Sequence, residues 1–213
     1  MNRPNSYISV DAEEEIVISG IAGRFPNSDN LKEFQENLFN NMDLGSSDHG
    51  RWNKTYNMPH RIGKVNNIEK FDSEFFNIPA TEAQIMCPMI RMLLEHTYEA
   101  IIDAGVNPEE LRGTRTNVLT AISLSETQGD FIFKAQFAGL LMTESNVSLM
   151  ANKISYWLGV IGQSHNIDTA CSSSNVAIVK AYELIRSGEC DAAIIASANL
   201  CLHPYVQFQF YHL

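Results

Sequence analysis

Apolar residues follow two different periodicities along the chain, and segments of the two kinds alternate. Runs of β-branched or small apolar residues, which are typical of buried strands, occupy residues 15–22, 117–122 and 192–198. Apolar residues three or four positions apart, which are typical of helices that bury one face, occupy residues 31–38, 90–102, 145–158 and 171–185. The alternation predicts an α/β layered fold with helices on both sides of a mixed or mostly parallel sheet.

Capping residues mark several helix boundaries. Asn30, followed three residues later by Glu33, predicts the start of the first helix, and a second box of this kind lies at residues 81–84. Gly105 predicts the end of the helix over residues 90–102, because glycine readily adopts the left-handed conformation that closes a helix.

The last of these helices is predicted to turn one apolar stripe towards the core and to end at Gly188. The residues of that stripe are Val176, Ile178, Val179, Tyr182 and Ile185. A hydroxyl-rich segment at residues 123–127 follows the strand predicted over residues 117–122. It therefore lies at the carboxyl edge of the predicted sheet, where the sites of α/β proteins gather.

The domain organisation is simple. No Pro-, Gly- or Ser-rich linker divides the chain, so residues 14–213 are expected to form one structural unit, behind a polar and flexible tail over residues 1–13. Residues 40–67 read as a long loop, which is either a binding segment or a solvated surface excursion. This loop carries a basic cluster of His60, Arg61 and Lys64.

Composition narrows the classes of partner. The 213 residues are 45% hydrophobic and carry a net charge of −10, which suits a folded domain and argues against nucleic acid or an anionic membrane surface as the main partner. No apolar run reaches the roughly 20 residues that a membrane-spanning helix needs, and no signal sequence is visible. A cytoplasmic location is the expectation.

The cysteines and histidines do not indicate a metal site. The four cysteines, at positions 87, 171, 190 and 201, form no Cys-x-x-Cys pair, and the six histidines are scattered. No directly bound cofactor or metal is expected.

Cys171 is the strongest candidate for chemistry. It is predicted to open a helix directly after a short strand-like segment, where the helix dipole and unpaired backbone N–H groups favour a thiolate. Small neighbours would let an acyl group reach the sulfur, and the N–H of Cys171 could help to hold an oxyanion. The alternative is that Cys171 is a small buried hydrophobe, as isolated cysteines often are.

The segment Asp168-Thr169-Ala170-Cys171-Ser172-Ser173-Ser174 matches the nucleophile signature of β-ketoacyl synthases. Further segments resemble the same family in the same order, namely residues 16–26, 71–76, 91–100, 111–113 and 151–155. The resemblance covers about residues 14–208 and is closest to the ketosynthase of an animal-type (type I) fatty acid synthase or polyketide synthase. Only the N-terminal half of that domain is represented.

This resemblance implies a thiolase-like layered fold of the αβαβα type and a decarboxylative Claisen condensation. Cys171 would be the acyl-accepting nucleophile, with its own backbone N–H as one half of the oxyanion hole. The acyl and malonyl substrates would be phosphopantetheine-linked and delivered by an acyl carrier protein, for which His60, Arg61 and Lys64 are candidate docking residues. The family also implies a homodimer.

Two histidine motifs and a glycine-rich turn that the family carries later in its sequence are absent from these 213 residues. His165, His203 and His212 do not match those motifs, so the isolated chain is expected to be inactive. Three interpretations stay open: a segment of a larger synthase, a non-catalytic ketosynthase that binds carrier protein or a synthase subunit, and a cysteine hydrolase or acyltransferase on another α/β fold.

Overall fold

The computed structural model describes residues 14–52, 60–127 and 146–212, so the predicted tail over residues 1–13 lies outside the described part of the chain. The α-helices are α1 (Leu31–Phe39), α2 (Ala80–Ile85), α3 (Pro88–Asp103), α4 (Val147–Leu158), α5 (Ser173–Arg186) and α6 (Pro204–Tyr211). The strands are β1 (Gly45–Ser46), β2 (Ile62–Gly63), β3 (Thr116–Ala121), β4 (Ser164–Asn166) and β5 (Ala192–Ser197). Short 3₁₀ turns cover Pro108–Leu111 and Ala170–Ser172.

A three-stranded parallel sheet in the order β4-β3-β5 organises the fold. Every residue of β3 is buried, which confirms the strand predicted over residues 117–122 and makes it the central strand of this sheet. In the register of the sheet, Val118 lies opposite Ser164 on one side and Ile194 on the other. The second sheet is a short antiparallel ladder of β1 and β2 within the predicted loop over residues 40–67.

Two hydrophobic clusters cover the two faces of the sheet, as the α/β prediction requires. Side chains of α3 and α4 pack with Val118 and Ile122 on one face. On the other face, Leu119 and Ala121 pack against the buried residues of α5. Alternate residues of one strand therefore enter opposite layers, because successive side chains of a strand point to opposite faces.

Most predicted boundaries are confirmed. Asn30 caps α1, since its side-chain oxygen accepts a hydrogen bond from the N–H of Glu33 at 2.9 Å. Gly105 follows α3 with a φ of 74°, in the left-handed region. The capping box predicted at residues 81–84 is wrong, because α2 already begins at Ala80, after Pro79, with no side-chain cap.

The strand predicted over residues 15–22 is also wrong. This segment pairs with no strand among the described residues, and the side chains of Val17, Ile18 and Ile21 are exposed. It lies instead against the end of α3, where the N–H of Ile21 donates to the carboxylate of Asp103 at 2.9 Å. A β-branched run suits a sheet, but it becomes a strand only where a partner edge is available.

The apolar stripe predicted for α5 faces the wrong way except at Ile185, which is partly buried against the second hydrophobic cluster. The buried residues of this helix are Ser173, Ala177, Ala181 and Leu184. Val176, Ile178, Val179 and Tyr182 of the predicted stripe are between 39% and 57% exposed. Small side chains let the helix approach the sheet closely, and the larger apolar residues then form an uncovered face.

Candidate active site

Cys171 lies beyond the carboxyl end of β4, at the edge of the parallel sheet. β4 ends at Asn166, the 3₁₀ turn Ala170–Ser172 follows, and α5 begins at Ser173. The prediction that Cys171 opens the helix is therefore wrong by two residues, because a tight turn precedes the first α-helical residue. The thiol still lies next to the amino end of α5, where backbone N–H groups lack carbonyl partners within the helix.

The turn before the thiol is sharp. Ala170 has a φ of 54°, which places a residue with a Cβ in the left-handed region. Its N–H donates to Oδ1 of Asp168 at 3.1 Å. Non-glycine residues rarely adopt this conformation unless the surrounding structure holds them there.

Ser173 holds the turn from inside. Its hydroxyl accepts a hydrogen bond from the N–H of Thr169 at 2.9 Å and donates to the carbonyl of Ala170 at 2.7 Å. The side chain of Ser173 is buried, so water does not replace these partners. Ser173, two positions after Cys171 in the motif, therefore stabilises the turn. The spacing of residues in the sequence did not show this role.

The carboxyl end of β3 lies beside the same turn, which confirms the expectation for the hydroxyl-rich segment at residues 123–127. The hydroxyl oxygen of Ser123 lies 3.4 Å from the carbonyl oxygen of Ala170 and 3.4 Å from the hydroxyl oxygen of Ser173. The Ser123 hydroxyl, and then the N–H of Ala170, hold the pKa of Asp168 below its usual value. Two strand ends therefore meet around the cysteine.

The four cysteines differ strongly in accessibility. Cys171 is exposed, Cys201 is intermediate, and both Cys87 and Cys190 are buried. Burial, followed by the nearby carboxylate of Asp191, raises the pKa of Cys190. Burial, followed by Glu126, raises the pKa of Cys201. All four cysteines lie in the described ranges, and Cys171 is thus the only exposed one among them.

The three histidines in the second half of the chain, His165, His203 and His212, each have a partner other than Cys171. His165 pairs with the side chain of Gln163 at 2.9 Å, and His203 caps α6 by accepting from the N–H of Tyr205 at 3.1 Å. His212 contacts the ring of Phe208. In the described ranges, no three His, Cys, Asp or Glu side chains form a group that could hold a metal ion. No described helix is long and apolar enough to cross a membrane.

The basic cluster of the loop is rearranged by the fold. Arg61 forms an ion pair with Asp43 across the β1–β2 ladder, so its charge is balanced. Lys64 instead lines a cavity of about 460 Å³ together with His49 and Arg51. Burial, and then the charge of Arg51, lower the pKa of His49. The guanidinium of Arg51 donates to the carbonyls of Leu200 and Cys201, which fastens the loop to the segment after β5.

Comparisons with known proteins agree with this geometry. The family model for the β-ketoacyl synthase N-terminal domain matches residues 13–213. The fatty acid synthase of the goose Anser anser anser is 45% identical over 202 residues, which are 94% of this chain and 57% of the relative. Polyketide synthase PksM of Bacillus subtilis is 32% identical over 214 residues, covering 92% of this chain and 5% of the relative.

Solved structures give the same assignment. The oxazolomycin ketosynthase domain of Streptomyces albus JA3453 matches with a TM-score of 0.82 and 30% identity, over 93% of this chain and 37% of that one. A ketosynthase from module 6 of the bacillaene synthase of Bacillus subtilis matches with a TM-score of 0.78 and 30% identity, over 90% and 32%. The fold is thus thiolase-like, and the chain spans only part of these relatives. The chain belongs to the β-ketoacyl synthase family, whose N-terminal domain it contains.

Proposed function

We propose that Cys171 is the acyl-accepting nucleophile of a β-ketoacyl synthase that acts in fatty acid or polyketide biosynthesis. The observation that carries this proposal is the position of Cys171, the one exposed cysteine of the four, at the amino end of α5 and the carboxyl edge of the parallel sheet. The family match over residues 13–213 disfavours a cysteine hydrolase on another fold.

The chemistry would proceed in two steps. The Cys171 thiolate attacks the thioester of an acyl chain on the carrier's phosphopantetheine arm, so a new C–S bond forms and the carrier thiol leaves. A malonyl thioester then loses carbon dioxide, and its α-carbon attacks the acyl group, which releases the thiolate of Cys171. The N–H of Cys171 would supply one half of the oxyanion hole. A thiol suits both steps because it is a soft nucleophile and a good leaving group.

The remaining assignments follow from the same proposal. The substrates are phosphopantetheine-linked and arrive on an acyl carrier protein, the working protein is a cytoplasmic homodimer, and no cofactor binds to the domain directly. Lys64 is a better candidate than Arg61 for contact with the acidic carrier, because Arg61 is already paired with Asp43. The histidines that assist decarboxylation in the family would come from sequence outside these 213 residues, so the isolated chain would not condense its substrates.

Selective alkylation tests the nucleophile. Brief treatment of the folded chain with iodoacetamide, followed by peptide mass spectrometry, should modify Cys171 ahead of Cys87, Cys190 and Cys201. The matched control is Cys201→Ser, which removes the next most accessible thiol and should leave the rate at Cys171 unchanged. Equal modification of all four cysteines would exclude an accessible, activated thiol at position 171.

A non-catalytic binding module is the second candidate, and the exposed apolar face of α5 favours it. Val176, Val179 and Tyr182 are each at least 39% exposed, which leaves apolar surface available for a protein partner. The two candidates separate in an acyl-transfer assay with an acyl-loaded carrier protein. Transfer of the acyl group to Cys171 supports the enzyme, whereas carrier binding without transfer supports the module.

A further inference from the structure

The side-chain amide of Asn166 joins the ends of two strands. Asn166 is the last residue of β4, and its Oδ1 accepts hydrogen bonds from the hydroxyl of Thr120 at 3.0 Å and from the N–H of Ile122 at 3.3 Å. Its Nδ2 donates to the carbonyl of Ile122 at 3.0 Å. One amide thus satisfies both backbone groups of Ile122, a residue that is 1% exposed and whose backbone therefore needs protein partners.

This contact extends strand pairing towards the cysteine. In the described part of the chain, the last backbone hydrogen bond between β3 and β4 at this end runs from the N–H of Ile167 to the carbonyl of Thr120 at 2.8 Å. Past this hydrogen bond, the side chain of Asn166 provides one donor and one acceptor. In a longer strand, the backbone of a further residue would provide them. This amide therefore fixes the distance between the segments that follow β3 and β4.

The contact reaches Cys171 by two short routes. On β4, Asn166 precedes Asp168 and Ala170, whose hydrogen bond closes the turn before the thiol. Directly after β3, Ile122 precedes Ser123, whose hydroxyl oxygen lies 3.4 Å from the carbonyl oxygen of Ala170. A shift of Ile122 relative to β4 would move Ser123 away from the turn and release the strained conformation of Ala170.

We propose that Asn166 is a positioning residue, which holds the turn of Cys171 through Ile122 and Ser123. The proposal rests on the assignment of Cys171 as the nucleophile. It predicts that loss of the Asn166 amide lowers the reactivity of the Cys171 thiol in a protein that still folds.

A control of the same kind lies at the opposite end of the same strand pair. Oδ1 of Asn117, at the start of β3, accepts a hydrogen bond from the N–H of Gln163 at 2.7 Å, just before β4. Asn117→Ala therefore removes a similar contact between the same two strands, but away from Cys171. Thr120→Val is a milder second variant, because it removes one bond to Asn166 and keeps the shape of the buried side chain.

The test compares alkylation rates of Cys171 by iodoacetamide at pH 7 and pH 9 in the full chain. Asn166→Ala should lower the rate at pH 7 by about tenfold and should change the ratio of the two rates, because the turn would no longer hold the thiol beside the amino end of α5. Thr120→Val should do the same to a smaller extent, and Asn117→Ala should leave rate and ratio as in the wild type.

Three outcomes are decisive. If Asn166→Ala and Asn117→Ala both lower the melting temperature and Cys171 is alkylated at the same rate in the two variants, Asn166 is structural only and the inference is wrong. If Asn166→Ala does not fold, Thr120→Val decides, and a wild-type rate in that variant also overturns the inference. If Cys171 of the wild type is no more reactive than the other thiols, the nucleophile assignment itself fails, which is a separate result.

Discussion

The hydroxyl of Ser173 accepts the N–H of Thr169 at 2.9 Å, and this contact spans the turn that carries Cys171. The same hydroxyl donates to the carbonyl of Ala170. Both contacts are shielded from water, since Ser173 is 4% exposed. Ser173→Ala should therefore lower the free energy of unfolding by about 1–3 kcal/mol and slow the alkylation of Cys171, because a buried N–H and a carbonyl lose their partner.

Urea denaturation and thiol alkylation, measured on the same samples, check this prediction. The matched control is Ser174→Ala, the same change at the next position of α5, where the hydroxyl makes no hydrogen bond within the described ranges. Equal effects of the two variants would show that Ser173 does not hold the turn.

The backbone of Ala170 gives a second prediction. Ala170 is exposed and has a φ of 54°, so a larger side chain there meets backbone strain and no crowded core. Ala170→Val should cost about 1–2 kcal/mol, because a β-branched residue is disfavoured in the left-handed region. Ala170→Gly should be close to neutral, since relief of strain offsets the greater entropy of the unfolded chain. Thermal unfolding of the two variants measures this, and an equal loss in both would contradict it.

Asp168 should make the free energy of unfolding depend on pH in the acidic range. The hydroxyl of Ser123 and the N–H of Ala170 hold the pKa of Asp168 below its usual value. Because the pKa of Asp168 is lower in the folded state, its ionised carboxylate stabilises the fold above the unfolded pKa, about 3.9. This stabilisation is lost as the pH falls through the folded pKa. The stability difference between wild type and Asp168→Asn should thus be largest near neutral pH and should shrink below about pH 4.

Urea midpoints from pH 3 to pH 7 test this dependence. Ser123→Ala, which removes the largest cause of the shift, should reduce the acid dependence without abolishing it. A gap between wild type and Asp168→Asn that stays constant over the whole range would show that the carboxylate is not stabilised by the fold.

Gly162 supplies a fourth prediction, at the entry of β4. A Cβ at this position would lie 2.1 Å from the backbone oxygen of Thr116, so the backbone segments around Gly162 and Thr116 could not keep their present distance. Gly162→Ala should destabilise the protein by more than about 2 kcal/mol, as overpacking against a rigid backbone does. Gly23→Ala is the control, since its nearest contact is the ring of Phe25 at 3.3 Å. Equal thermal shifts in the two variants would contradict the close approach.

The elements that the sequence predicted well are those whose signals are local. β3 is a run of buried residues, β5 is a run of small and β-branched apolar residues, and α3 carries its own stripe and a terminating glycine, so neighbouring positions suffice to define them. The motif around Cys171 likewise identifies the candidate nucleophile by itself. The thiolase-like fold was implied by the resemblance of such motifs, in their order along the chain, to the β-ketoacyl synthase family.

The elements that it missed depend on partners far away in the sequence. Residues 15–22 have a strand's composition, but strand formation needs an edge, and composition does not show whether one is near. Asn166 bonds Ile122 across 44 positions, which no local pattern reveals. On α5, the large residues suggested the core side, whereas most of the positions that face the sheet hold small residues such as Ala177 and Ala181.

The orientation of α5 yields the last prediction. Ala177 is fully buried against the sheet, and Val179, two positions further, is 57% exposed. Ala177→Leu should lower the free energy of unfolding by about 1–3 kcal/mol or more, because three extra carbons have no room in a packed layer. Val179→Leu, which keeps an apolar side chain on the uncovered face, should stay within about 0.5 kcal/mol of the wild type. Denaturant unfolding of both variants distinguishes the two faces. If Val179→Leu were the more damaging change, the stripe predicted from the sequence would be the buried one, and α5 would be rotated about its axis relative to the structure described.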